Sequence, residues 1–175
     1  MLRVVFDTTV LCEDFLLRRP AATRLFAAAA AGSACVHLSP VVLAETERRY
    51  LEDLRSAAGS LTTKLKSLGQ FGVTVTHDLD LEQRRASEDY LAFLEEILRR
   101  PGVSREHWPD ISHEALVDRD MRMLPPFRKG REGTTGYRDT LIWLGTVDIA
   151  RRHPGDDVVL VSANASPDSS PANLG

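Results

Sequence analysis

Cysteine is scarce in this chain. Cys12 and Cys35 lie in apolar-flanked segments, without the CxxC spacing of a zinc site or the density of a disulfide framework. Long hydrophobic runs are missing too. No stretch nears the roughly 18 apolar residues of a membrane span, and the run from Val4 to Phe6 is too short for a secretory leader. These absences lead one to expect a soluble, cytoplasmic protein with reduced thiols and no membrane contact. Nucleotide-cradling glycines are absent as well: the segment GREGTTG spaces its glycines by three, matching neither GxGxxG nor the P-loop. Nor is there an excess of positive charge. A net charge of -3 and a pI near 6.0 give no global attraction to a polyanion, so any nucleic-acid contact needs a local basic patch. The five histidines show no metal-ligand spacing, and Trp108 and Trp143 read as packing residues.

With 175 residues, 43% of them apolar, the chain can bury one sizeable core but is short for two, which predicts a single domain over 1–175. It opens on LRVVFDTTVL, a β-branched run halted at Asp7, the pattern of a buried strand ending in a loop. An Ala-rich helix from about Pro20 closes at Gly32, and a second strand follows over Cys35 to Leu38. Ser39 and Pro40 then supply an N-cap and a first-turn proline for a helix carrying Glu45. Residues 51–124 predict a largely helical insertion: a stretch near Leu61 to Leu68, an alternating strand in GVTVTHDL, a helix over about Leu81 to Arg100, and a short one over His113 to Met121. Beyond Pro125 and Pro126 comes a Gly-rich basic loop, FRKGREGTTGYR. Asp139 then opens an apolar helix, and VVLV forms a last buried strand. Strands alternating with helices imply an α/β fold with a mostly parallel sheet.

In such a sheet ligands bind beyond the carboxyl ends of the strands. Three acids fall at or near such ends: Asp7 after the first strand, Glu45 early in the helix after the second, and Asp139 before the last. They are 38 and 94 residues apart in the chain (45 − 7 and 139 − 45). Converging carboxylates repel one another unless a cation neutralises them, and hard oxygen ligands favour Mg²⁺ or Mn²⁺ over zinc. Asp148, nine residues beyond Asp139, falls on the opposite helix face and should not share the site. Between Arg119 and Arg138 six basic residues face only two acids, so Arg128, Lys129, Arg131 and Arg138 are candidate phosphate contacts.

In this order, VVFDTTVL, SPVVLAETERRY, GYRDTLIWLGTVDIA and VVLVSAN resemble the four motif blocks of PIN-like domains, most closely the longer bacterial ones and less the compact toxins. The resemblance covers Val4 to Tyr50 and Pro125 to Asn164. It implies a three-layer α/β/α sandwich and a metal-dependent endoribonuclease. Asp7, Glu45 and Asp139 match the family's acids, and Thr9 matches the residue that orients the first acid or a water, with Ser162 as a further hydroxyl. Asn164 stands where the family usually has an acid, and an amide oxygen adds no charge for a second ion. The family's following Asp-Phe pair is absent, with Asp168 the nearest acid. The metal set implied is therefore Asp7, Glu45 and Asp139 completed by Asn164 or Asp168, with Mg²⁺ or Mn²⁺ as cofactor and RNA as substrate. A homodimer and an antitoxin-like protein partner are left open. Two other readings compete. One is a degenerate PIN-like module that binds RNA or protein without cutting. The other is a haloacid-dehalogenase-like phosphatase, which needs an Asp where Thr9 stands.

Overall fold

The computed structural model describes residues 1–76, 78–130 and 133–163. Four parallel strands form the central sheet: β1 (Leu2–Phe6), β2 (Ala34–Leu38), β3 (Val103–Arg105) and β6 (Asp157–Val161), in the order β3-β2-β1-β6. Six helices flank it: α1 (Thr8–Glu13), α2 (Pro20–Ala30), α3 (Pro40–Gly69), α4 (Leu79–Leu98), α5 (His113–Met121) and α6 (Tyr137–Arg152). A separate antiparallel hairpin, β4 (Arg128–Gly130) and β5 (Gly133–Thr135), precedes α6. This is an α/β sandwich around an all-parallel central sheet.

Strand alternation divides the core between the two sheet faces. Phe6 meets Phe26 of α2 edge-on at 6.5 Å between centroids, whereas Val5 shares a cleft with Leu141, Ile142 and Ile149 of α6. Both faces are covered, so Val4, Val5, Phe6, Val36 and Leu38 are all buried. The β3 edge depends on Gly102, whose φ of +73° and contact with the Ala29 backbone leave no space for a Cβ.

The chain runs β1 to β2 to β3 in one direction and returns to place β6 on the other side of β1. A crevice therefore opens between the carboxyl ends of β1 and β6, the point where the connection reverses. The Asp7 amide donates to the Val161 carbonyl at 2.9 Å and fixes the first acid at that crevice.

Three expectations are corrected. GVTVT forms no strand: Val73 and Val75 are 46% and 51% exposed, and an alternating segment with neither a sheet edge nor a covered face has nothing to pair with. The basic loop is instead partly a hairpin. TTVLCE, expected as the loop after the first strand, is the helix α1, held by burial of Thr8 and Leu11 at helical spacing against α3. The segment 51–124 carries the rest of α3, α4 and α5, and it also supplies β3 to the sheet.

Candidate functional site

Asp7 is the residue at which β1 gives way to α1. Thr9 and Ser162 both donate to its Oδ2, at 2.8 and 2.7 Å, and the Thr9 and Ser162 hydroxyls lie 3.2 Å apart. The Ala163 amide donates to Thr9 at 3.0 Å. Two hydroxyls from opposite ends of the chain thus fix one carboxylate oxygen and leave Oδ1 without a hydrogen bond from any described residue.

Asp139 lies in the first turn of α6, where the helix dipole favours a negative charge, and it is exposed. Its position rests on Gly136, which caps α6 with φ 108°. A Cβ there would collide with the Pro126 carbonyl, so the helix begins pressed against the segment that closes the cleft.

Glu45 comes from the second turn of α3. Ser39 caps that helix by accepting from the Val42 amide at 3.2 Å, and Thr8 donates to Glu45 Oε2 at 3.1 Å. Its other oxygen is taken by arginines: Arg138 pairs with Oε1 directly, and Arg48 and Arg49 approach it at 3.7 Å. The Glu45 side chain is 11% exposed, so this cluster holds a nearly covered carboxylate.

Asp7, Glu45 and Asp139 line one cleft of about 450 Å³, together with Thr9, Cys12 and Arg128. Burial pushes the Cys12 thiol up, which keeps it protonated near neutral pH. The fold brings the three acids to a shared surface. It does not close them into a cage: among the described residues no group of three or more His, Cys, Asp or Glu side chains is placed to hold a metal ion. The donor set is all hard oxygen, two carboxylates and two hydroxyls around Asp7 and Asp139, and in kind it fits Mg²⁺ or Mn²⁺. Glu45 spends its charge on Arg138.

Of the basic candidates, Arg128 lines the acidic cleft, Lys129 is exposed on β4, and Arg138 lies against Glu45. Arg131, Asn164 and Asp168 fall outside the described residues. Asp148 faces a different cleft, beside Glu106 and Arg152, as its helical position implies.

Sequence reasoning missed Cys12, Glu13 and Arg49 in the acidic cleft and assigned Trp143 to packing alone. Arg49 was within reach of the spacing argument, since it is one helical turn after Glu45. Cys12 and Glu13 follow from the unrecognised α1. Trp143 is 37% exposed and lines a second cleft that adjoins the first.

A family model described as PIN domain matches residues 4–166, nearly the whole chain. No curated protein and no solved structure matches it.

Proposed function

The chain belongs to the PIN domain family, a nuclease-type fold, and from that premise we propose that it is a metal-dependent endoribonuclease whose site is the cleft of Asp7, Glu45 and Asp139. The observation that carries this reading is the shared cleft: three acids, one at the end of β1 and the others from α3 and α6, line it at the crevice between β1 and β6, where an open parallel sheet binds its ligand.

Asp7 Oδ1 and the Asp139 carboxylate are the groups to hold a Mg²⁺ or Mn²⁺ ion, with Glu45 joining them when Arg138 leaves it. Such an ion, when bound, supplies Lewis-acid polarisation of the phosphoryl oxygens and neutralises the charge that develops on them. Thr9 and Ser162 keep Asp7 in one rotamer, so little ordering is left for the moment of reaction. Arg128, which lines the same cleft, supplies a guanidinium for a phosphate. In the hydrolysis a water oxygen bonds to phosphorus, the phosphorus–oxygen bond to one sugar breaks, and a proton passes to the departing oxygen. Asn164 and Asp168 remain candidates to complete the donor set.

One observation favours a second reading, a PIN domain that binds RNA or a protein without cutting: Glu45 is occupied by Arg138. The two part in a cleavage assay on mixed single-stranded and structured RNA, with and without Mg²⁺ or Mn²⁺. Metal-dependent cutting is expected, with Asp7→Asn and Asp139→Asn each lowering kcat/KM roughly a hundredfold or more. RNA binding by the wild type with no cutting under either metal would sink the nuclease and leave the binding module.

A further inference from the structure

Beside the acidic cleft lies a second one of about 470 Å³ that shares Asp7, Asp139 and Arg128 with it. Apart from Ser162, just beyond β6, its remaining wall is apolar: Pro125 and Pro126 before β4, Ile142 and Trp143 of α6, and Leu160 of β6. The fold does not use Trp143 as it uses its neighbours. Leu141 and Ile142 are 7% and 3% exposed, whereas the Trp143 indole is 37% exposed and borders open space. A large aromatic ring left in water next to carboxylates loses the burial that would normally place it in a core.

The two clefts set joint demands on an occupant. It must present a flat or apolar group to Trp143, Ile142 and Leu160, and an anionic group close by, within reach of Arg128 and of a cation held by Asp7 and Asp139. A free carboxylate or phosphate leaves the apolar wall wet, and an uncharged apolar molecule leaves Arg128 unused. A nucleotide within a strand meets both demands, since its base and its phosphate are joined through one sugar. A base in a duplex is stacked and paired, and enters a slot only by flipping out at a cost of a few kcal/mol.

We propose that this apolar slot receives an unpaired nucleobase of the RNA, that of the nucleotide beside the scissile phosphate, with Trp143 as its stacking partner. The proposal rests on the nuclease reading for the identity of the phosphate, and it makes the protein a cutter of single strands rather than duplexes. The Ser162 hydroxyl in the wall donates to Asp7, and the apolar side chains carry one polar hydrogen, the Trp143 indole N–H, so the slot reads the presence of a base far more than its identity.

The test measures binding by the full chain, with Ca²⁺ in place of Mg²⁺, to four fluorescein-labelled probes. These are a short single-stranded RNA, the same backbone without bases, the same sequence as DNA, and the RNA as a duplex. Wild type should bind the intact single-stranded RNA roughly tenfold or more tighter than the abasic backbone or the duplex. Trp143→Ala should erase that preference, and Trp143→Phe should keep most of it. In a Trp108→Phe background, where Trp143 is the one remaining indole, intact single strands should quench its fluorescence and abasic ones should not. Equal affinity for intact and abasic strands overturns the proposal, as does Trp143→Ala binding like wild type. The wild-type comparison stands even where Trp143→Ala does not fold. DNA bound tenfold tighter than RNA overturns the RNA assignment and leaves the base slot. A protein that binds bases through Trp143 but never cuts sinks the nuclease and keeps the slot. One that cuts single strands and duplexes alike sinks the slot and keeps the nuclease.

Discussion

The Tyr90 side chain is 2% exposed and stacks on Tyr50 with ring centroids 3.7 Å apart, yet its hydroxyl has no hydrogen-bond partner among the described residues. Burial pushes its phenol well above the usual tyrosine range, so the group stays neutral and unsatisfied. A buried hydroxyl without a partner costs stability, and removing it while keeping the ring should be neutral or favourable. Tyr90→Phe is therefore expected to match or exceed wild type by up to about 1 kcal/mol in urea unfolding; a loss of that size would reveal a partner. At Glu45 the opposite situation holds, because a nearly covered carboxylate has three arginines around it. On the nuclease reading Arg138 competes with a divalent ion for that charge. Arg138→Ala should then tighten Mn²⁺ binding by roughly two- to fivefold, the scale of one partly exposed ion pair, as read by calorimetry. Weaker binding would mean that Arg138 positions Glu45 rather than blocking it. Asp7, Glu45 and Asp139 were legible because strand ends and helix starts are visible in sequence and topology brings them together. The Arg138–Glu45 pair was not, since it depends on side-chain torsions over a gap of 93 residues. Trp143 was misjudged because an apolar helix hides which residues end at its rim.

At the scale of elements, α6 shows how backbone conformation sets a site. Gly136, at φ 108°, lets the helix start against Pro126 and so places Asp139 three residues on. Gly136→Ala combines a strained positive φ with a backbone collision, and should cost about 1–3 kcal/mol in chemical denaturation while also weakening Mn²⁺ binding. A variant of wild-type stability and affinity would show that the start of α6 does not position Asp139. The α3–α4 hairpin behaves differently. Its core contacts come from its base, from Val41, Val42 and Leu43 at the start of α3 and Tyr90, Leu94 and Ile97 toward the end of α4, while Phe71 near its tip is 80% exposed. Phe71→Ser should change stability by less than about 0.5 kcal/mol, whereas Ile97→Ala should cost about 2–5 kcal/mol. Comparable losses from both would mean that the tip is packed. The elements most legible from sequence carried their own punctuation, as with Ser39–Pro40 at the start of α3 and Pro101–Gly102 after α4. β3 had no such signal. A three-residue strand has too short a pattern to read, and it exists because β2 offers it an edge and Gly102 allows α2 to approach. GVTVT shows the converse, a strand pattern with no partner.

Across the whole molecule, one polar network among the described residues ties the sheet together. The N-terminal amine and Arg3 both hold Asp156 at 2.7 Å, and Arg3 lies 3.3 Å from His37. His37 contacts Glu106 at 2.7 Å, Ser104 donates to the same oxygen at 2.8 Å, and Arg152 of α6 donates to the other at 2.6 Å. Glu106 thus joins β2, β3 and α6. The hydrogen bond with His37 is the main reason its carboxyl is held down to about 2 from an ordinary 4.5; burial opposes that shift, and Ser104 and Arg152 reinforce it. Because the folded protein binds this proton more weakly than the unfolded chain does, the contribution of Glu106 to stability is complete above about pH 4.5 and disappears as pH falls toward about 2. Melting temperature should therefore decline across that window. Glu106→Gln should melt lower at neutral pH, because the amide cannot replace the ionic contacts with Arg152, and its profile should be flatter between those limits. If the variant's curve runs parallel to wild type through the acid range, another carboxylate controls acid unfolding and the network is not what binds β3 to α6.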